Sequence, residues 1–181
     1  EAVRAVPAGP VTDSHAIQQV LLIAIYSARR ELILTSPYFV PDELLWTALV
    51  SAASRGVDVT LIVPAKVDSM LVRYASQAHK IDLLDAGVKV AMFEGGLLHT
   101  KSITVDGEFS LFGSLNLDPR SLWLNFEITL SVYDQQFTAV LRHLQQRYIE
   151  KSQFMDLEAW RKRPMVERLV VNAARLVSPL I

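Results

Sequence analysis

Three short apolar runs set the grammar of the first half of the chain: ELILTS (Glu31 to Ser36), VDVTLIV (Val57 to Val63) and VKVAMF (Val88 to Phe93). Each follows a longer stretch with helical periodicity. Thr12, Asp13 and Ser14 offer N-caps to a helix from Ala16 to Arg30. Asp42 and Glu43 open a second helix that ends at Gly56, and a third runs from about Ser69 to Ala86 and stops at Gly87. Strands this short and apolar, separated by helix-length segments, form parallel βαβ units with both sheet faces covered. After Gly95 and Gly96 the pattern changes. HTKSITVD (His99 to Asp106) alternates, Gly107 and Glu108 turn the chain, and FSLFGSLN (Phe109 to Asn116) returns as a hairpin. FEITLSVYD (Phe126 to Asp134) adds a strand, and a helix from Gln135 to about Lys151 follows. The expectation is an α/β domain with a mixed sheet and helices on both faces. Residues 1–10 read as a lead-in or linker, 11–155 as the domain, and 156–181 as a basic amphipathic tail with a helix from Met165 to Val177.

Composition narrows the chemistry. The 181 residues carry a net charge of -1, so bulk attraction to nucleic acid is not the leading idea. Hydrophobic residues make up 51%, enough for a real core. There is no Cys, which excludes disulfides, thiolate zinc sites, Fe–S clusters and Cys nucleophiles. The longest apolar run, Val20 to Ala28, meets Arg29, Arg30 and Glu31 and falls well short of the roughly 18 residues of a spanning helix. The chain opens on Glu1 and shows no signal peptide, which suggests a trimmed chain or a piece of a longer protein.

Polar residues recur where the hairpin ought to be apolar. His99 and Lys101 are two apart and share a strand face, and Ser114 and Asn116 repeat that spacing on the return. Glu127 stands near the start of the next strand. Strand pairing can bring all five around one point, making a cationic, donor-rich pocket suited to a phosphate. His99 adds nucleophilic or acid/base capacity. A single strand histidine is ordinarily a packed or rim residue; it is the coincidence of five polar groups that singles this one out. His15, His79 and His143 lie on predicted helices, where a histidine is usually just partly exposed, and are set aside.

Read as His99-x-Lys101-x4-Asp106-x6-Gly113-Ser114-x-Asn116, the segment resembles the HKD signature of the phospholipase D superfamily. The resemblance extends to SPYFVPDELL, AASRGVDVTLIVP, LLDAGVKV, GLLHTK, GSLNLDPRS, LNFEITLSVYD and the ending RLVSPLI, which are similar to the second half of bacterial cardiolipin synthases. It covers the chain from about Val6 to Ile181. Thr100 stands where many such synthases have Ala, and it points off the His/Lys face.

The resemblance implies a phospholipase D-type fold and a catalytic set of His99, Lys101, Asp106 and Glu127. Lys101, Ser114 and Asn116 would bind the phosphate, and Glu127 would accept from Nδ1–H of His99. Asp106 completes the motif, yet its place at a strand end beside a turn favours a structural role. Asp118, Arg120 and Ser121 are expected to brace the loop over the site, and PYFVP and Leu122 to Phe126 to shield it from water. No metal or other cofactor is implied. The implied reaction condenses two phosphatidylglycerols to cardiolipin and glycerol through a phosphohistidine, at the bacterial inner membrane surface and without nucleic acid. Family members need two HKD motifs and this chain has one, so its partner is a missing first half or a second copy. The alternatives are a phospholipid hydrolase or nuclease of the same superfamily, or a non-catalytic lipid-binding half. A nuclease would need a basic groove, which the net charge of -1 does not favour.

Overall fold

The computed structural model describes residues 3–9, 15–67 and 70–165. The elements in chain order are β1 (Val3–Ala8), α1 (Ala16–Ser27), β2 (Glu31–Thr35), α2 (Glu43–Ser54), β3 (Asp58–Pro64), α3 (Met70–Asp85), β4 (Lys89–Phe93), β5 (Ser102–Val105), β6 (Phe109–Gly113), α4 (Pro119–Trp123), β7 (Glu127–Val132), α5 (Gln135–Glu150), β8 (Ser152–Phe154) and α6 (Leu157–Arg161). Among the described residues they build one eight-stranded sheet in the order β1-β7-β6-β5-β2-β3-β4-β8. Only the pairs β2–β3 and β3–β4 are parallel; the remaining pairs are antiparallel.

Local sequence explains the boundaries. Asp42 caps α2 by accepting from the Leu45 N–H at 2.8 Å. At its far end Gly56 takes φ 85°, and the Val57 N–H reaches back to the Ala52 carbonyl at 3.2 Å. The three parallel strands are apolar on both faces because both faces are covered. Leu32, Leu34, Val59, Leu61 and Val90 join α1, α2 and α3 in the larger core, while Ile33, Ile62, Ala91 and Phe93 pack under Tyr148 and Ile149 of α5. Leu61 is 0% exposed, and burying a side chain of that size contributes about 1.5–3 kcal/mol.

Residues 3–8, expected as a lead-in, form an edge strand, in register from Val3↔Val132 to Ala8↔Glu127. Pro7 marks a break when read in sequence, but an edge strand tolerates a residue with no N–H to donate. The expected tail begins inside the domain, since Trp160 of α6 is buried against Ala78 of α3. The helix expected from Met165 to Val177 lies almost wholly outside the described residues.

Candidate active site

The hairpin strands are shorter than their alternation suggests. β5 begins at Ser102 and β6 ends at Gly113, so His99, Lys101, Ser114 and Asn116 all lie just past the regular ladder. Ser102 pairs with Thr35, the last residue of β2, which places this cluster outside the carboxyl ends of the parallel strands. That is the position where open α/β sheets offer a crevice. Pairing persists for one more step. The Gly113 N–H donates to the Lys101 carbonyl at 3.3 Å, and the Ser114 N–H to the Ile128 carbonyl at 3.0 Å.

Gly113 makes this crossing possible. A Cβ there would sit 2.1 Å from the Ile128 carbonyl oxygen and 2.9 Å from Thr129 Cα, so no side chain fits where β7 passes. The close approach lets the Ser114 hydroxyl donate to Glu127 Oε2 while it accepts from the Ile128 N–H at 3.0 Å. Asn125 Nδ2 donates to the other carboxylate oxygen, Glu127 Oε1, at 3.3 Å.

The next residues are fixed by a turn of helix. Asp118 caps α4 by accepting from the Ser121 N–H at 2.7 Å, and Pro119 supplies the preset first residue. The buried Ser121 hydroxyl accepts from Asn116 Nδ2 at 3.2 Å. Leu117 is bridged to Phe39, its N–H donates to the Ser36 hydroxyl at 3.2 Å, and its carbonyl takes the Val40 N–H at 2.9 Å. Asp118 and Ser121 therefore brace the loop as expected, whereas Arg120 is exposed and its guanidinium makes no ion pair among the described residues. The aromatic segments divide: Phe39, Val40 and Leu122 are buried, while Tyr38, Leu124 and Phe126 stand out in solvent.

Lys101 is half-buried and donates from Nζ to the His99 carbonyl at 3.0 Å. Burial draws its ammonium below the ordinary lysine value, against the opposing pull of the Glu127 and Asp118 carboxylates. The His99 side chain is exposed. The expected bond from its ring to Glu127 is not formed; the Glu127 oxygens accept instead from Ser114 and Asn125. Asn116 keeps one buried atom without a partner, Oδ1.

Asp106 is not brought to this cluster. It lies at the opposite end of β5, at φ 54°, where its carboxylate accepts from the backbone N–H groups of Arg29, Arg30 and Glu31 at 3.0, 2.7 and 2.9 Å. Burial pushes its pKa up, but the N–H groups of Glu31, Arg30 and Arg29 and the Arg30 charge outweigh this and hold it below the usual carboxylate value. The other histidines stay outside the cluster: His143 is exposed on α5, His79 lies on α3, and His15 meets the Trp123 ring edge-on at 5.2 Å. Among the described residues no group of three His, Asp or Glu is placed to hold a metal.

Two contributors escape a reading of the sequence. Asn125 carries no motif signal, and its bond to Glu127 depends on the turn after α4. Gln145 is fully buried on α5 and bonds Thr104 Oγ1 at 2.6 Å, Ser102 Oγ at 3.2 Å and the Ile33 carbonyl at 3.2 Å. Its only signal is a polar residue four places after the buried Leu141, on the apolar side of the helix.

The mixed α/β sheet thus gathers a lysine, an asparagine and a buttressed glutamate at one strand end. The family described as "Cardiolipin synthase, PLD-like domain" matches residues 21–149, and the chain belongs to it. Cardiolipin synthase A of Yersinia pseudotuberculosis is 51% identical over 179 residues, which is 99% of this chain and 37% of that protein; Yersinia pestis has a relative with the same figures. The chain thus spans little more than a third of those relatives. Among solved structures, the phospholipase D family member Nuc of Salmonella typhimurium aligns with TM-score 0.73 at 20% identity, covering 84% of this chain and 97% of that one. The phosphatidylserine synthase of Haemophilus influenzae aligns with TM-score 0.72 at 19% identity, covering 99% of this chain and 48% of its own. These two likenesses show the fold. Among the described residues no helix is long and apolar enough to cross a membrane.

Proposed function

We propose that this chain is half of a phosphatidyl-transfer site, one that joins two phosphatidylglycerols into cardiolipin and glycerol at a membrane surface. The observation that carries it is the convergence of Lys101, Asn116 and the Ser114–Glu127 pair at one end of the sheet, beside His99. The chemistry divides into two displacements at phosphorus. A neutral imidazole attacks through Nε2, the bond from phosphorus to the glycerol oxygen breaks, and the departing alkoxide takes a proton from a second imidazole. An incoming glycerol hydroxyl then gives its proton to that second imidazole and attacks phosphorus, breaking the P–N bond and freeing the first histidine. His99 is assigned as the proton-transferring member, and the nucleophile belongs to a second motif on a first half or a second copy. Lys101 holds a non-bridging oxygen.

Asn116 suits the same task. The Ser121 hydroxyl can donate as well as accept, so a half-turn of the amide gives Oδ1 a donor and aims Nδ2 at the phosphate. Glu127 orients the imidazole once substrate draws His99 inward, with Ser114 holding the carboxylate. Asp106 stays a structural clamp.

The test is made in the complete enzyme. His99→Ala lowers cardiolipin formation from labelled phosphatidylglycerol at least about a thousandfold with the fold intact; full activity would remove His99 from the reaction. Acid quenching should trap the phosphatidyl label on the other motif's histidine, and label on His99 would reverse the roles. Product appearing as phosphatidic acid instead would favour a hydrolase.

A further inference from the structure

The sequence casts Arg120 as a brace for the loop over the site, and in the fold only its backbone does so, its carbonyl accepting from the Leu124 and Asn125 N–H groups at 2.9 and 3.1 Å. α4 is held by the Asp118 cap, by Pro119 and by buried Ser121 and Leu122, so its single turn has a set orientation. On that fixed turn Arg120 projects into solvent. It lines a cavity of about 380 Å³ together with Tyr38, Val40, Asn116, Asp118 and Asn125. The Asp118 carboxylate in the same lining accepts from the Ser121 N–H, and the Arg120 guanidinium, with no ion pair among the described residues, offers a planar fork of donors matched to a phosphodiester.

The rest of the lining suits what accompanies such a phosphate. Asn125 gives an amide N–H to Glu127, leaving its carbonyl oxygen for a donor. Tyr38 adds an exposed phenol at the rim, and Val40 an apolar wall. A glycerol unit, with hydroxyls that both donate and accept, matches these groups.

The cavity adjoins the reacting centre through two of its own residues. Asn116 lines it and belongs to the candidate phosphate set, and the Asp118 carboxylate lies close enough to act on the Lys101 ammonium. We propose that this cavity is the acceptor subsite: it takes the glycerol phosphodiester head group of the second lipid, with Arg120 on its phosphate and Asn125 and Tyr38 around its glycerol. The assignment rests on the phosphatidyl-transfer reading, and it gives that reaction a means of preferring a lipid alcohol over water or free glycerol.

Two reactions of the complete enzyme separate the subsite from the chemistry. One is cardiolipin formation from phosphatidylglycerol, which needs a second phosphate in the acceptor. The other is exchange of labelled free glycerol into phosphatidylglycerol, which does not. Arg120→Ala should depress the first at least about tenfold more than the second, the size expected for losing hydrogen bonds to a charged group. The loss should appear as a raised KM for the acceptor lipid, and Arg120→Lys should restore part of it. Arg147→Ala, an exposed arginine on α5, controls for general attraction to anionic vesicles and should change neither rate. Equal loss in both reactions, or an unchanged acceptor KM, would overturn the subsite. A wild-type enzyme that exchanges glycerol but makes no cardiolipin would overturn it while leaving phosphatidyl transfer standing. One that does neither would overturn both.

Discussion

At the scale of single residues, Lys101 and Asp106 show how one motif serves two ends of one strand. Burial lowers the Lys101 pKa, and the Glu127 and Asp118 carboxylates only partly oppose it. In the proposed reaction the lysine must be charged to hold phosphate. The alkaline limb of kcat/KM, which reports the free enzyme, is therefore expected below lysine's ordinary value. A bound phosphate favours the charged form, so the limb of kcat should lie higher. Lys101→Arg should abolish both limbs, and a limb that survives belongs to another group. Asp106 titrates in the opposite sense. Its folded pKa lies below its unfolded one, so the native state binds fewer protons. Its contribution to stability is present above the unfolded value of about 4 and is lost as pH falls through the lowered folded value. Asp106→Asn tolerates the left-handed backbone but cannot ionise, so its unfolding midpoint should fall less steeply with acid than the wild type's. Parallel acid profiles would show that Asp106 does not carry this dependence.

The hairpin β5–β6 is the element on which the candidate site depends, and it is supported from below. Gln145 spans Thr104, Ser102 and Ile33, tying α5 to the strands that lead into Lys101. Gln145→Leu fills the space but leaves the Thr104 hydroxyl and other buried groups without a partner, at a cost of about 1–3 kcal/mol in denaturant unfolding. Gly113→Ala forces β7 away and should cost about 1–3 kcal/mol by overpacking, and the displaced strand would also break the hydrogen bond from Ser114 to Glu127. A variant as stable as the wild type would mean that β7 shifts freely. The same elements mark how far a sequence reading reaches. The strands β2, β3 and β4 were legible because they are buried on both faces and bounded by Gly or Pro. The hairpin was overrun at both ends because HTK and SLN continue the alternation of polar and apolar residues after the ladder has stopped. β1 was hidden by Pro7, and β8 by its brevity and polarity. The residues of the motif were visible, but the bonds of Glu127 were not. Those bonds depend on how β7 crosses β6, and that register is set by a missing Cβ at Gly113 rather than by any local pattern.

On the scale of the whole molecule, three large apolar side chains near the cluster in sequence stand in solvent. Leu97, Leu124 and Phe126 are 92%, 68% and 71% exposed, and each is within two residues of His99, Asn125 or Glu127. The chain spans 37% of its Yersinia relatives, and it carries one HKD motif. For the proposed transfer, one half-site is insufficient on grounds of proton bookkeeping. The attacking imidazole must be neutral, while the leaving glycerol oxygen needs a proton from a second group that is charged at the same pH. His99 can fill one of these roles. His15, packed on Trp123, and His143, on α5, are not gathered with it, and Lys101 is assigned in the proposed reaction to hold the phosphate. The 181-residue chain, diluted until sedimentation shows a monomer, is therefore expected to make no cardiolipin from phosphatidylglycerol. Supplying a separate first-half domain with its own HKD motif in trans should restore activity, and restoration by concentrating the chain alone would assign the second histidine to another copy. Activity in the restored enzyme should persist in EDTA, because the proposed reaction draws its positive charge at phosphorus from Lys101 and its further hydrogen bonds from Asn116. Turnover by the monomer would show that a single motif suffices.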